Sequence, residues 1–295
     1  MRSKLQAHAP KGAVKLFHRS FNYFIGPLGP FLRMICFAAI TPHTPLLIPG
    51  VGKENIVKLE STVAALKHLE TELYASHPDV IVVISSHAIQ HKEAFSLNLH
   101  DEYLIDFKDF GDLSTTRILE PDLALATAIE AHMQKHGVPF TLDSSASLDY
   151  GTGVPLFFLT ENLPNVKIVP VSFSGLPAKE HVRLGSELKD VFEHSNSRIA
   201  VVASGDLSHC LTSDAPLGYK PEGEEYDHKV VEAVKGISTS SLLSMDSELV
   251  EGASACIQEQ LLILFGLLER KKARVEILSY EHPFGVGYLV AQIHV

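Results

Sequence analysis

Residues 37–46 read FAAITPHTPL, a short apolar run that ends in a histidine held between two prolines. An apolar run of this length, bounded by turn residues, predicts a buried β-strand. Because Pro42 and Pro45 fix φ and lack an amide hydrogen, the strand has to end beside them. His43 is therefore expected on a stiff loop just past the carboxyl end of a strand. In open α/β sheets, ligands bind along this edge.

Two further apolar runs end in a histidine in the same way. VIVVI at residues 80–84 leads into Ser85, Ser86 and His87, and IAVVA at residues 199–203 leads into SGDLSH, which ends at His209. A right-handed β-α-β crossover makes the strands before His43 and His87 near neighbours, which brings both histidines to one rim of the sheet. The pattern predicts a site built from histidines at this rim.

Imidazole is a common protein ligand for iron and zinc. Either His43 or His87 alone could cap a strand or bond a loop carbonyl, but two at equivalent positions favour a metal site. His209 could act as a general base, a general acid or a ligand. Ser208 beside it could be a nucleophile, although the sequence is not a G-x-S-x-G elbow. The sequence has neither a GxGxxG after the first strand nor a GxxxxGK[ST], so nucleotide binding has no support.

Composition restricts the class of protein. The chain has 295 residues, of which 45% are hydrophobic and 20% charged, as in an ordinary globular protein. Its formal net charge of −10 argues against a nucleic-acid partner. The three cysteines form no CxxC pair, which favours a reducing, cytoplasmic compartment. No apolar run is long enough to cross a bilayer, so we expect no membrane partner. The oligomeric state stays open, and a homo-oligomer is one option.

Strand-like runs alternate with amphipathic helical segments from Met34 onward. This alternation predicts an α/β fold of three layers, with a largely parallel central sheet and helices on both faces. We expect one domain, residues 34–295. Residues 1–33 hold six Lys or Arg and no acidic residue. They are interpreted as a basic extension that is disordered or a non-native start, with a targeting or membrane-surface segment as the alternative.

Local patterns give weaker predictions for several connecting segments. Residues 103–111 are predicted as a loop, residues 148–155 as a loop that enters a helix at Val154, and residues 220–225 as a polar loop before a helix near Asp227. The histidines on amphipathic helices or their ends are interpreted as surface residues: His68, His132, His136, His181 and His194.

Five motifs, taken in order, resemble a known family. They are ITPHTP (40–45), SSH (85–87), DYG with VPL (149–151 and 154–156), SGDLSH (204–209), and SYE with GVGY (279–281 and 285–288). On these motifs the chain resembles the class III extradiol ring-cleavage dioxygenases, specifically the catalytic B-subunit (LigB-like) domain, with the Memo-like proteins as relatives. The resemblance covers Met34 to the C-terminus.

The resemblance implies roles for individual residues. His43 and His87 would be iron ligands, and His209 the acid/base that handles a substrate hydroxyl proton. The family's iron enzymes carry a third, carboxylate ligand where this chain has Ala255. Cys256 matches the metal-binding cysteine of Memo-like relatives, and Glu259, about one helical turn further on, is the other candidate for the third metal ligand. Three more residues are candidates for contacts with substrate: Tyr150, where related enzymes often carry histidine, Ser208 and His282.

The function implied first is an iron(II)-dependent extradiol dioxygenase that cleaves a small catechol-type aromatic diol with O2. The alternative is a Memo-like metal-binding protein with a redox or accessory role and no ring cleavage. A metal-free binding module that keeps only the cleft is the third reading. Fe(2+) is the expected cofactor, whereas a cysteine ligand would favour Zn(2+) or Cu.

Overall fold

The computed structural model describes residues 35–295, so the predicted basic extension lies outside the described residues. Within them, ten strands form one mixed sheet. The strands are β1 (Ile35–Thr41), β2 (Val80–Ser85), β3 (Phe95–Asn98), β4 (Tyr103–Phe107), β5 (Asp112–Pro121), β6 (Phe140–Asp143), β7 (Lys167–Ser172), β8 (Ile199–Ser204), β9 (Arg274–Glu281) and β10 (Tyr288–His294).

Nine α-helices of the described residues connect or cover these strands. They are α1 (Pro49–Gly52), α2 (Glu60–Ala75), α3 (Leu123–Lys135), α4 (Tyr150–Leu159), α5 (Ala178–Glu193), α6 (Pro221–Gly236), α7 (Thr239–Leu243), α8 (Ser247–Ala253) and α9 (Gln258–Leu268). Short 3-10 helices cover Pro45–Leu47, Lys53–Leu59 and Lys108–Phe110.

The strands follow the order β4-β5-β7-β2-β8-β1-β10-β9, with β3 and β6 branching from β7. The five strands from β5 to β1 run parallel, while β4, β10 and β9 pair antiparallel with their neighbours. Parallel strands align their carboxyl ends at one edge, so the loops after β1, β2 and β8 meet there. The α/β fold with a mostly parallel, open sheet agrees with the sequence prediction.

Alternate side chains of the central strands supply two hydrophobic cores. On β2, Val80, Val82 and Ile84 pack with apolar residues of α3, α5 and α9 on one face of the sheet. Ile81 and Val83 pack with those of α2 and α4 on the other face. A strand buried on both faces needs apolar residues throughout, which is why β2 reads as an unbroken apolar run.

The order of strands adds one detail to the sequence prediction, which made the strands before His43 and His87 near neighbours. The first two strands, β1 and β2, are not paired with each other, because β8 lies between them and is parallel to both. The motif that ends at His209 therefore leaves the sheet between the loops of His43 and His87. This arrangement makes the three histidine loops one continuous rim.

Several predicted loops are regular structure. Residues 103–111, predicted as a loop, contain β4, whose alternate residues Tyr103, Ile105 and Phe107 are buried against α4. The helix predicted from Val154 begins at Tyr150, because Asp149 caps it by accepting from the amide of Thr152. Residues 221–225 belong to α6 rather than to a polar loop. In all three segments the regular structure depends on capping or tertiary packing, which short local patterns do not reveal.

His181 is not a surface residue, contrary to its interpretation from the helical pattern. It is only 1% exposed, and its ring packs edge-on against Phe95 with centroids 5.0 Å apart. The amide of Ser174 donates to its Nε2 at 3.4 Å. Helical periodicity could not reveal this contact, since the loop after β7 supplies it.

Among the helices of residues 35–295, none combines the length and the apolar character that a membrane crossing requires.

Candidate metal centre

Three side chains from distant parts of the chain converge at the carboxyl edge of the sheet. The Nε2 atoms of His43 and His87 are 3.1 Å apart, and Sγ of Cys256 lies 3.4 Å from Nε2 of His43. The three ligand atoms all fall within 4.8 Å of one another. His43 is buried, Cys256 is partly buried and His87 is exposed, so the group is open on the His87 side.

The backbone and ring of His43 are held from β8. Its amide donates to Oδ1 of Asp206 at 2.9 Å. Its Nδ1 lies 3.2 Å from Oγ of Ser204, and that hydroxyl donates its proton to the carbonyl of Gly151 at 2.5 Å. Since the hydroxyl proton is already donated, Ser204 accepts from His43, which assigns the ring proton to Nδ1. The Nε2 lone pair of His43 is thereby left facing His87 and Cys256.

Cys256 is held against the same loop by backbone contacts with Asp206. The amide of Cys256 donates to the carbonyl of Asp206 at 3.1 Å, and the amide of Asp206 donates to Sγ of Cys256 at 3.2 Å. Gly205 lies so close to Ile257 that a Cβ there would overlap it. The glycine of SGDLSH thus allows the segment before α9 to place its cysteine beside His43.

Tyr150 covers the outer side of His87. The two rings stack with centroids 4.2 Å apart, and the Tyr150 hydroxyl lies 2.9 Å from Nε2 of His87. Asp149 fixes the start of α4 and also accepts from Oγ of Ser85 at 2.5 Å, while the amide of His87 donates to that Oγ. The first turn of α4 and the loop after β2 therefore form one hydrogen-bonded unit.

Burial sets the protonation of the group at neutral pH. It lowers the pKa of His43 to about 3, and burial together with the neighbouring His43 lowers the pKa of His87 to about 4. Burial raises the pKa of the Cys256 thiol to about 12 and that of the Tyr150 hydroxyl to about 12. Burial also raises the pKa of Asp206 to about 6, opposed by the amide of His43. Both imidazoles are therefore neutral, as metal ligands must be.

The donor set fits a metal ion. Bond lengths of about 2.0–2.1 Å to nitrogen and 2.3 Å to sulfur place the ligand atoms of a tetrahedral ion roughly 3.3–3.6 Å apart. The separations of 3.1 Å and 3.4 Å at His43 come close to this range, although the Tyr150 hydroxyl has to move away from Nε2 of His87 when an ion binds. Two imidazoles and one thiolate leave a fourth position open, and such a set suits zinc or copper as well as iron.

His209 lies near this group, although it is not part of it. Its charge acts on the pKa values of His43, His87 and Asp206. Its amide donates to the carbonyl of Ala253 at 3.0 Å, which ties the loop after β8 to the end of α8. Its Nδ1 is buried and has no hydrogen-bond partner among residues 35–295. Because Nδ1 is buried, Nε2 is the ring nitrogen that could exchange protons with a bound molecule.

The other candidates from the sequence are placed differently. Glu259 lies in the first turn of α9, half-buried and outside the three-residue group. Ser208 is buried, and its amide donates to Oδ1 of Asp227 at 2.9 Å. His282 is exposed, with its ring 5.8 Å from that of Tyr280. Their roles as ligand or substrate contacts stay predictions.

A cavity of about 260 Å³ adjoins His87. Among its lining residues are three carboxylates, Asp109, Asp143 and Asp149, and none of the lining residues is Lys or Arg. Phe110, next to one of these carboxylates, packs edge-on against Tyr150 with centroids 5.2 Å apart. Sequence patterns missed Phe110 because the segment that carries it was interpreted as a loop without a role.

Comparison with known proteins matches most of the chain to one family model. The family model described as the catalytic LigB subunit of aromatic ring-opening dioxygenase matches residues 37–291. Protein CA_C1420 of Clostridium acetobutylicum is 31% identical over 265 residues, which cover 86% of this chain and 56% of that protein. The chain thus spans little more than half the length of this curated relative.

A solved structure shares the fold. The crystal structure of the uncharacterized protein JW3007 from Escherichia coli K12 superimposes with a TM-score of 0.60 at 18% identity, covering 88% of this chain and 99% of that one. At this identity the likeness supports the α/β fold of the described residues and nothing finer.

Proposed function

The chain belongs to the family of the catalytic LigB subunit of aromatic ring-opening dioxygenase, and we propose that it opens the ring of a small aromatic diol with O2 at a metal ion held by His43, His87 and Cys256. The observation that carries this proposal is the convergence of the three ligand atoms within 4.8 Å at the carboxyl edge of the sheet. The adjoining cavity of about 260 Å³ is of a size for a single-ring substrate.

The reaction is an extradiol cleavage, in which both atoms of O2 enter the product. The carbon–carbon bond next to the diol breaks, and no other reductant is consumed. When bound, the metal supplies a Lewis acid that lowers the pKa of a substrate hydroxyl and an open position for O2. The protein has to orient the diol, keep the two imidazoles neutral and handle the hydroxyl proton.

His209 is the group that we assign to this proton. Its loop leaves the sheet between those of His43 and His87, and since Nδ1 is buried, Nε2 is the nitrogen that we assign to the transfer. It takes the proton from the substrate hydroxyl and returns it to the ring-opened product, as general acid–base catalysis requires. Tyr150, with a pKa raised by burial, stays protonated, and its hydroxyl at the His87 side of the site can donate to the substrate when a metal occupies Nε2 of His87.

Iron(II) is the metal that we propose for ring opening, as the family resemblance implies. One observation favours a second candidate function. The third candidate ligand is the thiol of Cys256, whereas the carboxylate of the family's iron enzymes is implied at the position of Ala255, and thiolates favour zinc or copper. A Memo-like redox or accessory role at the same site is therefore the alternative.

The discriminating experiment measures O2 uptake by the anaerobically iron(II)-loaded protein with simple catechols. The proposal predicts one O2 consumed per catechol and a yellow ring-opened product. A protein that binds metal stoichiometrically but consumes no O2 with a panel of catechols supports the Memo-like alternative. A protein that binds no metal contradicts both.

A further inference from the structure

A second cluster of potential ligands lies between α3 and α5. His132 and His136 are four residues apart, and the amide of His136 donates to the carbonyl of His132 at 3.0 Å, so the helical geometry places both on one face. Their rings stack with centroids 4.0 Å apart. Nε2 of His132 and Nδ1 of His136 each lie 2.8 Å from the same oxygen of Glu187, on α5.

This cluster is separate from the candidate centre at His43. It shares no residue with that centre. His132 also lines a cavity of about 480 Å³ whose wall includes Lys167, the first residue of β7. The amino ends of the parallel strands lie at the opposite edge of the sheet from the candidate centre. The cluster therefore cannot take part in chemistry at His209.

We propose that His132, His136 and Glu187 form a second divalent-metal site, and that its ion is zinc. Two imidazole nitrogens and one carboxylate oxygen are zinc ligands, and all three ligand atoms lie within 4.8 Å of one another. The side chains are 20%, 34% and 17% exposed, so an ion can enter and water can complete the shell.

The convergence of two rings on one oxygen is what separates this cluster from an ordinary His–Glu pair. If both rings were protonated, two positive charges would stack about 4 Å apart and share a single carboxylate. If both are neutral, each donates an N–H to that oxygen, and a cation that takes the place of these two protons meets two nitrogen lone pairs and the carboxylate once each ring shifts its proton to the other nitrogen. Arg183, one turn before Glu187, forms its ion pair with Glu180 and donates to the carbonyl of His136, so its guanidinium is engaged by groups other than the Glu187 carboxylate.

A zinc ion here would join two helices that cover the same face of the sheet. His132 and His136 lie at the end of α3, and Glu187 lies in the middle of α5. Because the ion binds the folded arrangement and not the unfolded chain, it stabilises the fold in proportion to its free concentration. The role that we infer is structural, and it is independent of the proposed ring opening.

The test counts zinc in full-length protein that carries His43→Ala, which disables the candidate centre. After removal of metal by chelator, titration with zinc chloride should show one equivalent bound and an increase in melting temperature. Adding His136→Ala or Glu187→Gln should abolish both effects. Adding His194→Ala, a histidine that lines the same cavity outside the cluster, should leave both unchanged.

A cobalt(II) titration tests the same site in proteins that keep His43, so it does not depend on correct folding of the His43→Ala variant. The cluster contains no thiol, so its cobalt contributes visible bands without a thiolate charge-transfer band. His136→Ala should bind one cobalt fewer than wild type and keep any charge-transfer band from Cys256. The proposal is wrong if zinc binds only in large excess, or if the count is the same with and without His136→Ala and Glu187→Gln.

Discussion

The Nε2 atoms of His43 and His87 lie 3.1 Å apart, although β8 separates the two strands that precede them. The intervening strand ends at Ser204, which holds the ring of His43, and the loop after it carries Asp206, which accepts from the amide of His43. The same loop carries His209. The end of β8 and the loop after it thus hold His43 in place and carry His209, the residue that we assign to proton transfer.

His209→Ala should reduce turnover by about 10²–10⁴, the usual contribution of a general acid–base group, while metal content stays at the wild-type value. The reason is that His209 lies near the three potential ligands but outside their group. Steady-state O2 uptake and metal analysis of the same sample check this. Loss of metal in the variant would make His209 a ligand and contradict its assigned role.

Tyr150→Phe should retain full metal occupancy and lower kcat by about tenfold, the effect of losing one hydrogen bond of about 1.4 kcal/mol. In the described structure the Tyr150 hydroxyl lies 2.9 Å from Nε2 of His87, the nitrogen that a metal would use. Metal binding has to redirect that hydroxyl toward the substrate. A variant that loses metal while keeping kcat per bound ion would show that Tyr150 supports the ligand instead.

Cys256→Asp should shift the metal preference from zinc toward iron(II), since it replaces a thiolate by a carboxylate beside two imidazoles. Cys256→Ser is the matched control. It should weaken the binding of either metal by more than about 100-fold, since losing a residue that only supports a ligand already costs about 10–100-fold in affinity. Competition between zinc and iron(II) under anaerobic conditions measures the preference. Unchanged affinities in both variants would exclude Cys256 from the metal shell.

His181 should make the stability of the fold decline below about pH 6.5. Burial lowers its pKa below 6.5, so the native state stays neutral where the unfolded chain takes up a proton. Its contribution is complete above pH 6.5 and is lost as the pH falls, by about 1.4 kcal/mol for each unit of pKa shift. Denaturant unfolding of wild type and His181→Gln from about pH 7.5 to 5.5 checks this. Equal losses in both proteins would contradict the prediction.

The sequence predicted the parts of this molecule that depend on local periodicity. The apolar runs before His43, His87 and His209 are strands. Because these strands are buried on both faces of the sheet, almost every position in them has to be apolar, and this makes them visible in the sequence. The position of β8 between β1 and β2 could not be predicted, since strand order depends on contacts between distant segments.

In the site, too, local sequence predicted some residues, and contacts between distant segments determine the rest. His43 and His87 were candidates from their positions after strands, whereas the pairing of Cys256 with Asp206 joins residues 50 positions apart in the chain. The second cluster was missed for the same reason. His132 and His136 follow a helical spacing that is typical of surface residues, and only the packing of α5 brings Glu187 to them.

The central claim is that His43 and His87 bind one metal together. The most direct measurement is anaerobic metal analysis of full-length protein expressed in iron-rich medium, in a His136→Ala background that removes the second site. We expect about one metal ion per chain in this background, and none after addition of either His43→Ala or His87→Ala. A background protein that carries no metal and binds none in titration would contradict the claim, as would full occupancy in both histidine variants.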